Sequence, residues 1–342
     1  MLIKLLDQDN EKAWDAYVNQ HQGSSIYHLS EWRHIINHQF GHDSYYLYAT
    51  EHNNILGILP LVRLRSLFFG DFMVSMPYFN YGGVLADNEL IEYSLLEEAK
   101  NIGKSIGVAH IEFRELKRRG EDWACRDDKV IMSLELSHDS DILWKAIGSK
   151  RRAQIKRPDR EGVTINIGGL EILNDFYAVF SRNMRDLGTP VYSRHLFERI
   201  LKRFPEQSHI VLVRIDNQPA AAGLLIGYKG RMEIPWASSS REYNRTGANM
   251  RLYWEALKFS IENKYSVFDF GRSTIDGRTY KFKRQWGAKP VRCYWNYQLY
   301  NRESMPQINP ENNKYALAIG VWKRLPVAIA NILGPMIVKN IP

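Results

Sequence analysis

Apolar positions recur along this chain at two periods, and the switches between them mark out its elements. EKAWDAYVNQH (residues 11–21) and SEWRHIINHQF (30–40) repeat at helical spacing, the second opened by Ser30 as an N-cap. SYYLYATEHNNILGILPLVRLR (44–65) alternates on either side of HNN, the pattern of a hairpin. NELIEYSLLEEAKNIGKSIG (88–107) predicts a helix and VAHIEFREL (108–116) a strand. A second series starts near Ser149. KRRAQIKRPDREGVTINIG (150–168) is a basic helix broken at Pro158 and followed by a strand. EILNDFYAVFSRNMRDLG (171–188) is strongly amphipathic and stops at Gly188, and SRHLFERILKRF (193–204) is a further helix. Residues 209–240 alternate through turns at DNQP and YKG, ANMRLYWEALKFSIENKY (248–265) is helical, and SVFDFG (266–271) is a strand. Both halves thus run helices, hairpin, helix, strand. The remaining KYALAIGVWKRLPVAIANILGPMIVKNIP (314–342) is almost wholly apolar, interrupted by Lys323, Arg324, Pro326 and Pro335.

Composition narrows this picture. The chain has 342 residues, enough for two domains, and 44% are hydrophobic, ordinary for a globular protein. Cys125 and Cys293 are its two cysteines, so no disulfide framework is expected, and two lone thiols fit a reducing compartment. The start, MLIKLLDQDNEKAW, lacks the apolar run of a secretory signal, and no run of 18 apolar residues predicts a span, which makes the cytoplasm the expected location. The formal net charge is +8, a bias toward anionic partners. The cations gather at two places: Lys145, Lys150, Arg151, Arg152, Lys156, Arg157 and Arg160, then the segment FDFGRSTIDGRTYKFKRQWGAKP (268–290).

That second segment carries the candidate chemistry. Zinc-ligand spacings, a Walker loop, a dinucleotide-binding glycine motif and a nucleophile elbow are absent from the sequence, which removes the usual support for hydrolase, nucleoside triphosphatase and Rossmann readings. No metal is expected. Cations interleaved with Tyr280, Phe282 and Trp286 directly after a strand suit a site where negative charge is held or develops. Acyl transfer to an amine builds such charge on the carbonyl oxygen, and a fixed cation there lowers the barrier. Lys283 is the candidate catalytic residue, and Arg272, at the strand end, a candidate phosphate contact. A donor bound as acyl-CoA would want a glycine turn at a helix N-terminus. Arg245-Thr246-Gly247-Ala248-Asn249 is a reduced form of one, with Gly247 and Asn249 its candidate contacts and a plain helix start the alternative. The aromatic and glycine loop around Tyr78, Tyr81, Gly82 and Gly83 either lines an acceptor cleft or simply turns. The apolar tail is expected either to dock as two short helices or to meet a membrane surface.

The residues DFGRS…GRTYKFKRQWGAKP resemble the C-terminal signature of the FemAB family of the GNAT superfamily. IYHLSEWRHII, SMPYFNYGGVL and KRRAQIKRPDREGV resemble further family segments in the same order. NMRDLGTPVYSRHLFERIL and the tail are similar to the branch associated with PEP-CTERM/XrtA exopolysaccharide systems. The resemblance implies an α+β chain of tandem GNAT-like (acyl-CoA N-acyltransferase-like) domains. These are expected at residues 1–148 and 149–300, with a helical tail, 301–342, returning to the first domain. It implies transfer of an aminoacyl group from charged tRNA to an amine of a phosphate-bearing cell-wall precursor, with Lys283 in the oxyanion-stabilising place. Arg33 takes the place of a residue that contacts precursor phosphate, and Arg185 is a second such candidate. Tyr280 and Trp286 complete the expected substrate-binding set with Arg272, Tyr78 and Tyr81. The sequence lacks the long coiled-coil arm of the tRNA-dependent members, which keeps an acyl-CoA donor as the alternative; a non-catalytic scaffold at an exopolysaccharide assembly membrane is the other.

Overall fold

A computed structural model of the protein describes residues 1–66, 69–300, 305–306 and 313–341. The chain divides into two compact units. One comprises Met1–Val130, Val291–Gln307 and Asn340–Pro342, and the other Ile131–Pro290 and Ile308–Lys339. The crossing falls at 130/131, not at 148/149, and the strand Tyr294–Leu299 is a member of the first unit. Periodicity reveals a strand but not its partner, and this one pairs with His110–Glu115, nearly 200 positions earlier by sequence number (Tyr294↔Glu115).

The first unit holds a four-stranded sheet in the order Leu2–Leu5, Leu47–Glu51, Asn54–Leu59, Leu85–Ala86. Its six-stranded companion runs Asp43–Ser44, Val62–Ser66, Gly70–Val74, His110–Glu115, Tyr294–Leu299, Ala124–Arg126. The expected hairpin closes at His52 and Asn53, both at positive φ (48° and 66°), the backbone of a type I′ turn. Helix Glu89–Ser105 begins where Asn88 Oδ1 accepts the Ile91 N–H at 3.0 Å. It buries Ile91, Leu95, Leu96 and Ala99 against Leu47, Ala49, Leu59, Met73, Ile111 and Phe113. It also carries the chain between Gly70–Val74 and His110–Glu115, which pair in parallel at Met73↔Ile111 and Val74↔Glu112.

The second unit is built on a seven-stranded sheet. Its order is Val163–Gly168, Ser208–Ile215, Gln218–Tyr228, Arg231–Ser239, Val267–Thr274, Lys129–Glu135, Lys289–Arg292. Asp216 and Asn217 (φ 47° and 61°), then Lys229 and Gly230 (φ 45° and 74°), close its two hairpins where DNQP and YKG predict them. The middle strands are buried at nearly every residue, so both faces are covered. Helices Leu173–Leu187 and Ala248–Glu262 supply the cover, both packing on these strands. Arg231–Ser239 and Val267–Thr274 run parallel but pair only at Arg231↔Val267, Met232↔Phe268 and Glu233↔Asp269. Beyond that point, nine- and eight-residue strands part company.

The tail helix Val327–Val338 packs on Leu173–Leu187 in this second unit, whereas the expectation sent the tail back to the first. Small residues decide the seat: a Cβ at Gly334 would lie 2.7 Å from the Val191 backbone nitrogen, so only glycine permits that approach. Arg185 adds a tether by donating to the Leu325 carbonyl at 2.7 Å. Among the described residues, no helix is long and apolar enough to cross a membrane.

Candidate active site in the second unit

The site lies where the two parallel strands separate. VFDFGRST is buried without a break from Phe268 to Gly271, and within that run Asp269 is fully buried. Across the last paired position stands a second buried acid, Glu233. Two residues on, Gly271 takes φ 75°, a conformation other residues rarely adopt, and its N–H donates to Asp269 Oδ1 at 2.7 Å. The strand then turns at Gly277 into the short helix Arg278–Arg284. That helix brings Lys283 back beneath the strand, 7% exposed, with Nζ donating to the Gly271 carbonyl at 3.0 Å and the Arg272 carbonyl at 2.9 Å. An ammonium has three donors. Two are engaged here, and the third has no hydrogen-bond acceptor among the described residues.

The surroundings leave other polar atoms in the same condition. Asp269 Oδ2, Ser273 Oγ and Trp286 Nε1 are buried without a hydrogen-bond partner among the described residues. Asp269 Oδ2 lies 3.8 Å from the Arg231 guanidinium. Native interiors leave few such atoms, so this concentration on one strand and the helix and turn after it marks a candidate site. Electrostatics agree. Burial drives the Lys283 ammonium down to about 8, against the pull of Asp269 and Glu233. Burial pushes Asp269 up to about 6, against its bond to Gly271 and the charges of Arg231 and Lys283.

An aromatic wall closes one side. Tyr253, from helix Ala248–Glu262, lies 5.7 Å from Phe270, 5.0 Å from Phe282 and 6.3 Å from Trp286 between ring centroids. Burial pushes the Tyr253 phenol up to about 12. Tyr280 is buried under the Arg284 guanidinium, 5.8 Å from its ring. Outside this wall Arg272, Arg278, Lys281, Arg284 and Lys289 are exposed. The result is a dry cationic centre inside a basic rim, which draws anions inward.

The structure brings Lys283, Arg272 and Tyr280 together on this strand–helix unit, with Trp286 in the turn directly after it. From sequence Asp269 reads as a cap or the partner of a neighbouring arginine, kept in play by its place at a strand end, and Glu233, Ser273 and Tyr253 do not stand out. The available signal was an acid at an inward position of an apolar strand, present in both SVFDFG and RMEIPW. Gly247 stands at φ 89° as the residue before helix Ala248–Glu262, and a Cβ there would lie 2.5 Å from the Gln154 carbonyl. The glycine is therefore required by local geometry. The same contact sets the helix N-terminus, with Asn249 in its first turn, against the basic helix Ser149–Lys156. Arg185 is engaged with Asp186 and the Leu325 carbonyl, so it pins the tail and has little left for a phosphate.

In the first unit Arg33 donates to Glu11 Oε1 at 3.1 Å, and His34 Nε2 lies 2.8 Å from the same oxygen. Tyr78 sits at φ 73° with its hydroxyl 2.8 Å from His42 Nε2, and Tyr81 is buried edge-on to Tyr27. Gly82 and Gly83 are there because a Cβ would lie 2.5 Å from Met76 and from Glu115 Cγ respectively. A depression of about 440 Å³ along helix Glu89–Ser105 has Trp123 beneath Lys100 and Arg119, but its ions pair among themselves.

Residues 149–284 match the family described as Acetyltransferase (GNAT) domain. The architecture is that of tandem GNAT proteins. The chain is similar to FemX at 13% identity and a TM-score of 0.67, over 88% of this chain and 98% of that one. It is similar to L-PGS from Bacillus licheniformis at 14% identity and a TM-score of 0.58, over 94% and 99%. The tandem GNAT protein from the clavulanic acid biosynthesis pathway is similar at 10% identity and a TM-score of 0.54, over 86% and 97%. At such identities the likeness is one of fold. Comparison with curated protein sequences found no match.

Proposed function

We propose that this chain is an N-acyltransferase of FemAB type, moving an aminoacyl or acyl group to an amine of a cell-envelope glycan or peptidoglycan-like precursor, in exopolysaccharide assembly. The observation that carries the reading is the buried Lys283 ammonium, with one N–H that meets no acceptor among the described residues, where two parallel strands part. The neutral amine of the acceptor attacks the donor carbonyl, forming a C–N bond. The carbonyl oxygen takes the electron pair and accepts the third Lys283 N–H. Collapse of the adduct expels the tRNA oxygen or the thiolate, and the proton lost from nitrogen goes to that leaving group. Asp269 holds Lys283 charged, Tyr253, Phe282 and Trp286 exclude water, and Arg272 with the exposed rim receives donor or acceptor phosphates.

The resemblance of the sequence to the FemAB family, with the likeness of fold to FemX, supports an aminoacyl donor. The GNAT domain match and the helix N-terminus behind Gly247 favour the second reading, an acyl-CoA donor. Thermal shift with acetyl-CoA and with charged tRNA separates the two, since the true donor raises the melting temperature. Amine acylation by the wild type and its loss in Lys283→Ala tests the reaction itself. Full activity in a folded Lys283→Ala protein overturns the role of Lys283.

A further inference from the structure

The C-terminal helices present a surface that acyl transfer does not use. Residues 312–342 contain no Asp or Glu, and their charged side chains are Lys314, Lys323, Arg324 and Lys339. Val327–Val338 (VAIANILGPMIV) has no charged side chain at all. One stripe of it, Ala330, Gly334 and Val338, is buried on the second unit. The other side faces solvent: Ile332 is 70% exposed and Met336 64%, flanked by Ile329, Leu333 and Ile337. These five recur at helical spacing and form one continuous face. Leu317 (79% exposed) and Val321 (56%) extend the apolar surface onto the preceding helix.

A surface helix of a soluble domain normally carries charge on its outer face. A contiguous apolar face in that position marks a contact surface. Charge complementarity selects the occupant. Lys323 and Arg324, both exposed, sit at the junction of the two helices beside the half-buried Trp322, and Lys339 closes the second helix. An apolar face edged by cations, with a tryptophan at its border and no acid, fits an anionic bilayer surface. A twofold contact with a second copy would bring these cations toward their own counterparts. At twelve residues the helix is about 18 Å long, too short for a hydrocarbon core of about 30 Å. A helix of that length suits the surface of a membrane and not a crossing.

We infer that Asn313–Trp322 and Val327–Val338 dock this chain on an anionic membrane leaflet. The test is flotation of the full-length protein with vesicles of phosphatidylcholine, alone or mixed with phosphatidylglycerol. The protein should float with the mixed vesicles, bind roughly tenfold less to phosphatidylcholine alone, and be released by high salt. Ile332→Glu/Met336→Glu should abolish binding without lowering the melting temperature, because both side chains are exposed. Should it destabilise the protein, Ile332→Ser/Met336→Gln repeats the test without new charge. Lys323→Gln/Arg324→Gln should weaken binding to the mixed vesicles by roughly tenfold or more. Lys283→Ala should float like wild type, which keeps this result separate from the fate of the catalytic reading. Absence of flotation overturns the inference, as does binding unaffected by Ile332→Glu/Met336→Glu. A concentration-dependent doubling of mass, lost in that variant and without vesicle binding, overturns it in favour of self-association.

Discussion

Glu112 and Asp269 occupy the same position in the two halves of the molecule, and their neighbourhoods differ completely. Each is a buried acid on the strand after a crossover helix, at the last paired residue of a parallel pair, opposite Val74 in one unit and Glu233 in the other. Around Glu112 the gap is filled by the chain itself. Ser75 N–H donates to the Glu112 carbonyl at 2.9 Å, Arg114 N–H to Ser75 Oγ at 2.8 Å, and Gly82 N–H to the Arg114 carbonyl at 3.2 Å. The Arg114 guanidinium, 1% exposed, donates to Glu112 and to the Phe79 carbonyl and stacks on Trp295 at 4.4 Å. Tyr297 donates to the other Glu112 oxygen at 2.6 Å, and Arg119 and Asn296 both donate to Glu115. Burial pushes the Glu112 carboxyl up, but Arg114 and Tyr297 outweigh it and hold the group below its usual range. No buried side-chain atom of Glu112, Arg114 or Glu115 lacks a partner. Among the described residues Asp269 Oδ2, and Ser273 Oγ on the same strand, have no hydrogen-bond partner. A satisfied buried network specifies structure, whereas an unsatisfied one on the same scaffold is the place where we propose that substrate binds.

This contrast is breakable, and the largest expected effect lies in the closed half. Arg114→Met leaves Glu112 buried without its cation and should lower unfolding stability by about 3–5 kcal/mol in denaturant titration. Lys283→Ala should instead leave the fold intact and lower turnover by roughly 100-fold, the size of one lost oxyanion donor. The open pair should also oppose folding when both of its groups are charged. Between pH 4 and about 6 the folded Asp269 holds a proton that the unfolded chain has lost, so its contribution falls as pH rises through that window. Between about 8 and 10.5 the unfolded chain holds the Lys283 proton that the folded state has lost, so stability recovers as pH rises. Asp269→Asn/Lys283→Met should therefore stabilise the protein by about 1–4 kcal/mol at pH 7 while abolishing turnover; a lower melting temperature would contradict the contrast. The smallest effect is a profile. Turnover should rise as Asp269 ionises near 6 and fall above about 8 as Lys283 loses its proton. Asp269→Asn should move the alkaline limb to lower pH, because the carboxylate that favours the ammonium is gone.

Much of the architecture was legible because its causes are local. The hairpin turns follow from residues that tolerate positive φ at HNN, DNQP and YKG, and the amphipathic helices follow from spacing. Lys283 and Arg272 were legible as cations among aromatics. Arg185 was misread as a phosphate contact because its partner, the Leu325 carbonyl, is 140 positions away by number. Glu233 was invisible because its proximity to Asp269 comes from a parallel register, which no nearby residue encodes.

By itself the sequence determined which segments become strands and helices, where they turn, and where positive charge collects. Tertiary structure alone decided which strand receives Tyr294–Leu299, which unit receives the tail, and which of two equivalent buried acids remains open. The physical reason is range: backbone preference and periodicity act over a few residues. Burial, strand pairing and the pKa values that follow from them depend on groups that meet only once the chain has folded.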